Sequence, residues 1–186
     1  MSDLNLRIPG PVPLPEEVLE ITGRQMINHR GPEFAEIIDR MTTNFKKVLG
    51  TQGRAYFLTA SGTGSMEAAV VNTLSPGDRV LSVSIGSFGN RFGDIAEAYG
   101  AEVTRIEFEW GTAADPEKVR ETIRSMPDCA AVVVTHNESS TGVMNPIEAI
   151  ARAVHDESDA LVLVDAVSSA AGVPLPMDDW GLDVVG

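Results

Sequence analysis

Ala130-Ala131-Val132-Val133-Val134-Thr135, then a helical stretch over 146–155, then Ala160-Leu161-Val162-Leu163-Val164, is the segment whose reading decides the fold. Both runs are strand-length and apolar almost throughout, as expected of strands covered on both faces. Working outward, further strand-like runs are Ala55-Tyr56-Phe57-Leu58, Arg79-Val80-Leu81-Ser82-Val83 and Glu102-Val103-Thr104-Arg105-Ile106. Helical stretches near 65–74, 88–99 and 116–125 separate them. Alternating β and α units predict an α/β fold, a mainly parallel sheet with helices on both faces. In such a sheet ligands bind beyond the carboxyl ends of the strands, so the residues just after each strand carry the functional reading.

Ahead of these units lies Ile8-Pro9-Gly10-Pro11-Val12-Pro13-Leu14-Pro15, with four prolines in eight residues. That density excludes helix and central strand, so residues 1–15 read as an extended arm ahead of a large domain over 16–186. Pro15 followed by Glu16-Glu17 starts a helix with carboxylates favourably placed in its first turn. A second helix follows Gly31-Pro32 with apolar residues at Phe34, Ile37, Ile38, Met41 and Phe45, and Gly50 ends it.

The net charge of −13 over 186 residues argues against nucleic acid and anionic membranes, which want clustered Lys and Arg. The single cysteine, Cys129, adjoins an apolar run and reads as buried; one cysteine allows no disulfide framework, which fits a cytoplasmic location. The first residues lack the pattern of a signal peptide, and no apolar run approaches the length of a spanning helix.

The strand ends are chemically distinctive. After the first run comes Thr59-Ala60-Ser61-Gly62-Thr63-Gly64-Ser65, where glycines and hydroxyls at a helix start make a phosphate cradle; an ordinary capped turn is the equal alternative. After the second comes Gly86-Ser87-Phe88-Gly89, where Phe88 could lie on a planar ring or pack in the core. His136-Asn137-Glu138-Ser139-Ser140-Thr141-Gly142 follows the fourth, a cluster of donors or a solvated loop. Asp165 ends the fifth, where an unpaired carboxylate is desolvated. A pyridinium N–H would pair with it; a helix cap is the alternative. His29, His136 and His155 have no zinc-ligand spacing.

Taken in order, these segments, with Pro9-Gly10-Pro11-Val12-Pro13, His29-Arg30-Gly31-Pro32-Glu33-Phe34 and Ser75-Pro76-Gly77-Asp78, resemble the class V aminotransferases of fold type I, the alanine–glyoxylate and serine–pyruvate branch. The resemblance covers nearly the whole chain. It implies pyridoxal 5'-phosphate (PLP) as cofactor. Ser61, Gly62 and Thr63 would bind its phosphate, Phe88 would stack on its ring where many relatives carry Trp, and Ser139 would lie near the ring edge and substrate. Asp165 would pair with the pyridine nitrogen, Val167 would support the other ring face, and Gly10 would lie near the substrate carboxylate. Thr63 stands where some relatives have His.

The resemblance also implies a small amino acid and a 2-oxo acid as substrates, and a homodimer over which the arm drapes. The Schiff-base lysine is expected beyond Gly186: Lys46, Lys47 and Lys118 follow no strand end, and Leu182-Asp183-Val184-Val185-Gly186 begins the strand that precedes that lysine in the family. A truncated, inactive and poorly soluble piece is therefore the expectation. The alternatives are a cysteine desulfurase or other class V lyase, which commonly stacks His where Phe88 stands, a non-catalytic remnant, and a nucleotide-binding oxidoreductase, which lacks its third fingerprint glycine at Glu67.

Overall fold

The computed structural model describes residues 7–186; of the expected arm, residues 1–6 lie outside the described residues. The chain divides after Phe45 into two compact units. The first holds the proline-rich arm, which forms neither helix nor strand where described, then α1 (Glu16–Thr22) and most of α2 (Pro32–Val48). Glu16 and Glu17 stand in the first turn of α1, and α2 opens on Pro32-Glu33 and closes on Lys46-Lys47. Both placements complement the helix dipole.

The second unit is the α/β body. It comprises α3 (Gly62–Thr73), β1 (Arg79–Ser84), α4 (Ser87–Ala98), β2 (Glu102–Glu107), α5 (Pro116–Arg124), β3 (Cys129–Thr135), β4 (Asn137–Glu138), β5 (Val143–Met144), α6 (Ile147–His155), β6 (Leu161–Asp165) and β7 (Val184–Val185). Five strands form one sheet in the order β2-β1-β3-β6-β7, and every pair is parallel. β4 and β5 form a small antiparallel hairpin just beyond β3.

Alternation along the strands sorts side chains to the two faces. Leu81, Val83, Val132, Val134, Val162 and Val164 join Val119 and Ile123 of α5 and Ile147, Ile150 and Val154 of α6 in one core cluster. Val80, Ala131, Val133 and Leu163 join Met66 and Val70 of α3 and Phe92 and Ala96 of α4 in the other. The central strands β1, β3 and β6 are thus covered on both sides, as their near-continuous apolar composition requires. Cys129 is buried at the start of β3, and burial pushes its thiol pKa up.

One expectation is corrected. Residues 55–58 read as a strand by composition but join neither sheet. Tyr56 and Leu58 are exposed. β propensity expresses packing on a pleated surface rather than a preference of the isolated backbone, and this segment lies outside the sheet that would supply such a surface.

Candidate functional site

The face covered by α3 and α4 ends, at the carboxyl edge of the sheet, in a polar row. Parity places Ser84 of β1, Thr135 of β3 and Asp165 of β6 on this face, each one residue past an apolar neighbour on the other. Thr135 and Asp165 are register partners. All three are buried, and the Thr135 hydroxyl has no hydrogen-bond partner among the described residues. Asp165 Oδ1 accepts from the Val167 amide at 3.0 Å, while Oδ2 is unbonded among the described residues. Burial pushes the Asp165 carboxyl up from its ordinary range; the Val167 amide opposes this, the nearby Glu138 charge adds to it, and Arg91 opposes it again.

Around this row the strand-end loops converge. Ser61 is the N-cap of α3, yet its side chain makes no capping bond and remains exposed. Its carbonyl accepts from the amides of Gly64 and Ser65, which leaves the amides of Gly62 and Thr63 as the open donors of this helix start. Gly62 lies against Val167, the second residue past the β6 end. Arg91, on the second turn of α4, donates to the Thr63 hydroxyl at 3.2 Å and lies 4.9 Å from the centre of the Phe88 ring. Phe88 itself is half-buried against the α3/α4 core cluster. It therefore packs in the core and keeps part of its ring outside, so the two readings of this residue are compatible.

The loop after β3 folds into the β4–β5 hairpin. The Asn137 side-chain amide donates to the Ser168 hydroxyl, which donates in turn to the Asn137 carbonyl, so the loops after β3 and β6 are stitched together. Ser139 is half-buried at the tip of this hairpin. Asn145 anchors the hairpin's return, accepting from the Ala114 amide and donating to the Thr135 carbonyl at 2.9 Å each. His136 points to the opposite face, buried edge-on against Trp180, where burial lowers its pKa. Gly10 lies exposed on the arm of the first unit.

Three residues given no part by sequence reasoning contribute here. Glu138 stood unassigned in the quoted polar run but is wholly buried; Thr135 closed a quoted strand run without a role of its own, and Arg91 lies two residues past the quoted Gly89. For Arg91 the available signal was its place one helical turn after Phe88, on the same side of α4.

The residues present fit a phosphorylated pyridine. The helix start has open amides and a free hydroxyl for an anion, a half-exposed aromatic offers a face, and a buried carboxylate holds one oxygen unengaged. Among the described residues, no group of His, Cys, Asp and Glu is arranged to hold a metal ion. Likewise, no described helix is long and apolar enough to cross a membrane.

Comparison with known proteins agrees with this chemistry. The pattern of the class-V aminotransferase family matches residues 17–185. A protein of Synechococcus sp. named soluble hydrogenase, small subunit, is 47% identical over 184 residues, which are 97% of this chain and 48% of that protein. The serine–glyoxylate aminotransferase of Methylorubrum extorquens is 38% identical over 183 residues, 96% of this chain and 46% of the enzyme. The crystal structure of an alanine–glyoxylate aminotransferase from Nostoc sp. superposes with a TM-score of 0.91 at 31% identity, covering all of this chain and 50% of that one. The chain spans about half the length of the curated relatives it matches. With its parallel sheet, its polar strand-end row and a family match over residues 17–185, the chain belongs to the class-V aminotransferases, a PLP-dependent family of fold type I.

Proposed function

We propose that this chain forms the cofactor-holding part of a cytoplasmic, homodimeric aminotransferase that moves an amino group between alanine or serine and glyoxylate or pyruvate. The observation that carries the reading is Asp165: a buried carboxylate at a strand end, with one oxygen on the Val167 amide and the other unengaged. Such a group calls for a cationic partner, and a pyridinium N–H is one.

The remaining roles follow. The hydroxyl of Ser61 and the amides of Gly62 and Thr63 hold the phosphate. Phe88 stacks on one ring face and Val167 supports the other. Ser139 stands at the ring edge beside the substrate. When bound, PLP supplies the electron sink that makes a substrate α-proton removable. Asp165 keeps that sink protonated, and the other residues orient it. The chain's three lysines fall elsewhere: Lys46 and Lys47 end α2, and Lys118 is on α5, whose helix packs on the opposite sheet face from Asp165. The chain by itself therefore holds the cofactor reversibly and does not transaminate.

Titration with PLP, followed by the cofactor's visible absorbance and induced circular dichroism, tests this reading. Saturable binding is expected, weakened at least about tenfold in Asp165→Asn, the equivalent of about 1.4 kcal/mol. The full-length protein is expected to bleach the cofactor band on addition of alanine or serine and restore it with glyoxylate. Failure of both the chain and the full-length protein to bind PLP would overturn the proposal.

A further inference from the structure

Glu138 is fully buried, and among the described residues its carboxylate accepts only from neutral donors. Its Oε2 accepts from the amides of Phe88 and Gly89, at 3.0 Å each. Oε1 accepts from the amide of Ser140 at 3.1 Å and its hydroxyl at 2.7 Å. A carboxylate with no exposure persists only where such bonds replace its water. Here the replacement includes the start of α4, where two amides without an intrahelical acceptor and the positive end of the helix dipole meet the negative charge.

The cap is not local. Helices are ordinarily capped by a side chain at their own N-cap, but α4 has Gly86 there, which makes no side-chain cap. The capping group comes instead from a residue 50 positions further along the chain. A side chain at Gly86 would leave no room for it: a Cβ there would lie 2.6 Å from both Glu138 Cγ and Ser140 Oγ. One carboxylate thus fixes the backbone of Phe88 on the β1 side and that of Ser140 on the β3 side, with Ser139 between Glu138 and Ser140.

We propose that Glu138 is a positioning residue for the cofactor ring, setting the distance between the stacking face of Phe88 and the ring-edge position of Ser139 through the amides it binds. This inference rests on the PLP reading above and deepens it. Without the carboxylate, α4 still packs through Phe92 and Ala96 on the sheet. The Phe88 amide then turns to water, and the ring loses its fixed position relative to the hairpin.

The test compares the unmutated chain with Glu138→Gln and Ser140→Ala. It measures PLP affinity, induced circular dichroism per bound cofactor, far-ultraviolet dichroism, and hydrogen exchange at the amides of Phe88 and Gly89. Glu138→Gln, which keeps one acceptor oxygen in place of two and no charge, is expected to keep its secondary structure, exchange the Phe88 and Gly89 amides faster, bind PLP about tenfold more weakly and lose most of the induced signal. Ser140→Ala leaves Oε2 in place and is expected to retain both amide protection and most of the signal. Should Glu138→Gln fail to fold, Glu138→Asp, one methylene shorter, is expected to bind PLP with a reduced induced signal. A folded Glu138→Gln with unchanged affinity and signal per bound cofactor shows a purely structural cap and overturns the inference. In its place, a Glu138→Asp with an unchanged signal does the same. Where the unmutated chain does not bind PLP, the same variants are compared in the full-length protein; absence of binding by both unmutated forms overturns the PLP reading and this inference together, and that control tells it apart from failure of the inference alone.

Discussion

A Cβ placed on Gly62 would stand 2.7 Å from Cγ2 of Val167, so the first turn of α3 and the second residue past the β6 end are in direct contact. This contact joins the phosphate side of the proposed site to its ring side. Val167 is 58% exposed and its side chain can turn away. Gly62→Ala is therefore expected to cost about 1 kcal/mol of stability, the low end for an inserted methyl. Its effect on PLP affinity is expected to be larger, about tenfold or more, because the displaced Val167 and the added methyl both intrude where the ring and phosphate must sit. Parallel urea unfolding and PLP titration separate the two effects; a variant that loses stability but keeps affinity would sink this account.

Asp165 makes a prediction about pH. Burial raises its pKa in the folded chain, so folding takes up a proton in the window above the ordinary carboxyl range. The stability it contributes is complete below the unfolded value and is lost as pH rises through the folded one. In the absence of cofactor, Asp165→Asn removes this loss, so the variant gains on the unmutated chain as pH rises from about 4 to about 7. With PLP present the order is expected to reverse, because the carboxylate then has its cation. Thermal melts across that range, with and without PLP, check both signs.

Much of this was legible in the sequence because the signals were periodic. The runs at 130–135 and 160–164 appear as β3 (Cys129–Thr135), one residue longer at its start, and β6 (Leu161–Asp165), one residue later at both ends, since burial on both faces leaves little else for such composition to do. The helix after Gly31-Pro32 and the one starting at Glu16 were readable from proline and carboxylate placement. What composition could not give was pairing. Residues 55–58 have strand chemistry and no place in the sheet, and the β4–β5 hairpin is too short to have a period. Glu138 was hidden for a related reason: its burial depends on amides 50 residues away, which no local window contains. Asp165 was readable because its own strand announces its desolvation.

Asp178 titrates with the opposite sign. The hydroxyl of Thr51 donates to its Oδ1 at 2.5 Å and the Gln52 amide to its Oδ2 at 2.8 Å, pinning the segment after α2 to the turn before β7. These bonds, Thr51 first, hold its carboxyl below the ordinary range. The stability they contribute is present above the unfolded pKa and is lost as pH falls through the folded one. Asp178→Ala should lower the melting temperature by a few degrees at neutral pH, and the gap should close in acid. Because Asp165 acts in the other direction, the comparison is best made in an Asp165→Asn background; a gap that widens as pH falls would contradict the assignment.

Gly89 provides the contrast with Gly62. A Cβ there would lie 2.9 Å from Ser84 Cα and 2.8 Å from Ser84 Oγ, so the obstacle includes the backbone of β1, a central strand, rather than only a side chain that can rotate. Helix α4 must move off the sheet to admit the methyl, and Phe92, one turn on and 1% exposed, must move with it. Gly89→Ala is expected to cost about 1–3 kcal/mol, toward the upper end of that range. Urea unfolding should show a lower midpoint with an unchanged slope, the mark of lost stability without a change in the surface exposed. Adding Ser84→Gly removes the hydroxyl obstacle and leaves the Cα in place, so the double variant should recover only part of the loss. Full recovery would show that the hydroxyl alone sets the spacing, and no loss in the single variant would show that α4 is not held against β1 as closely as described.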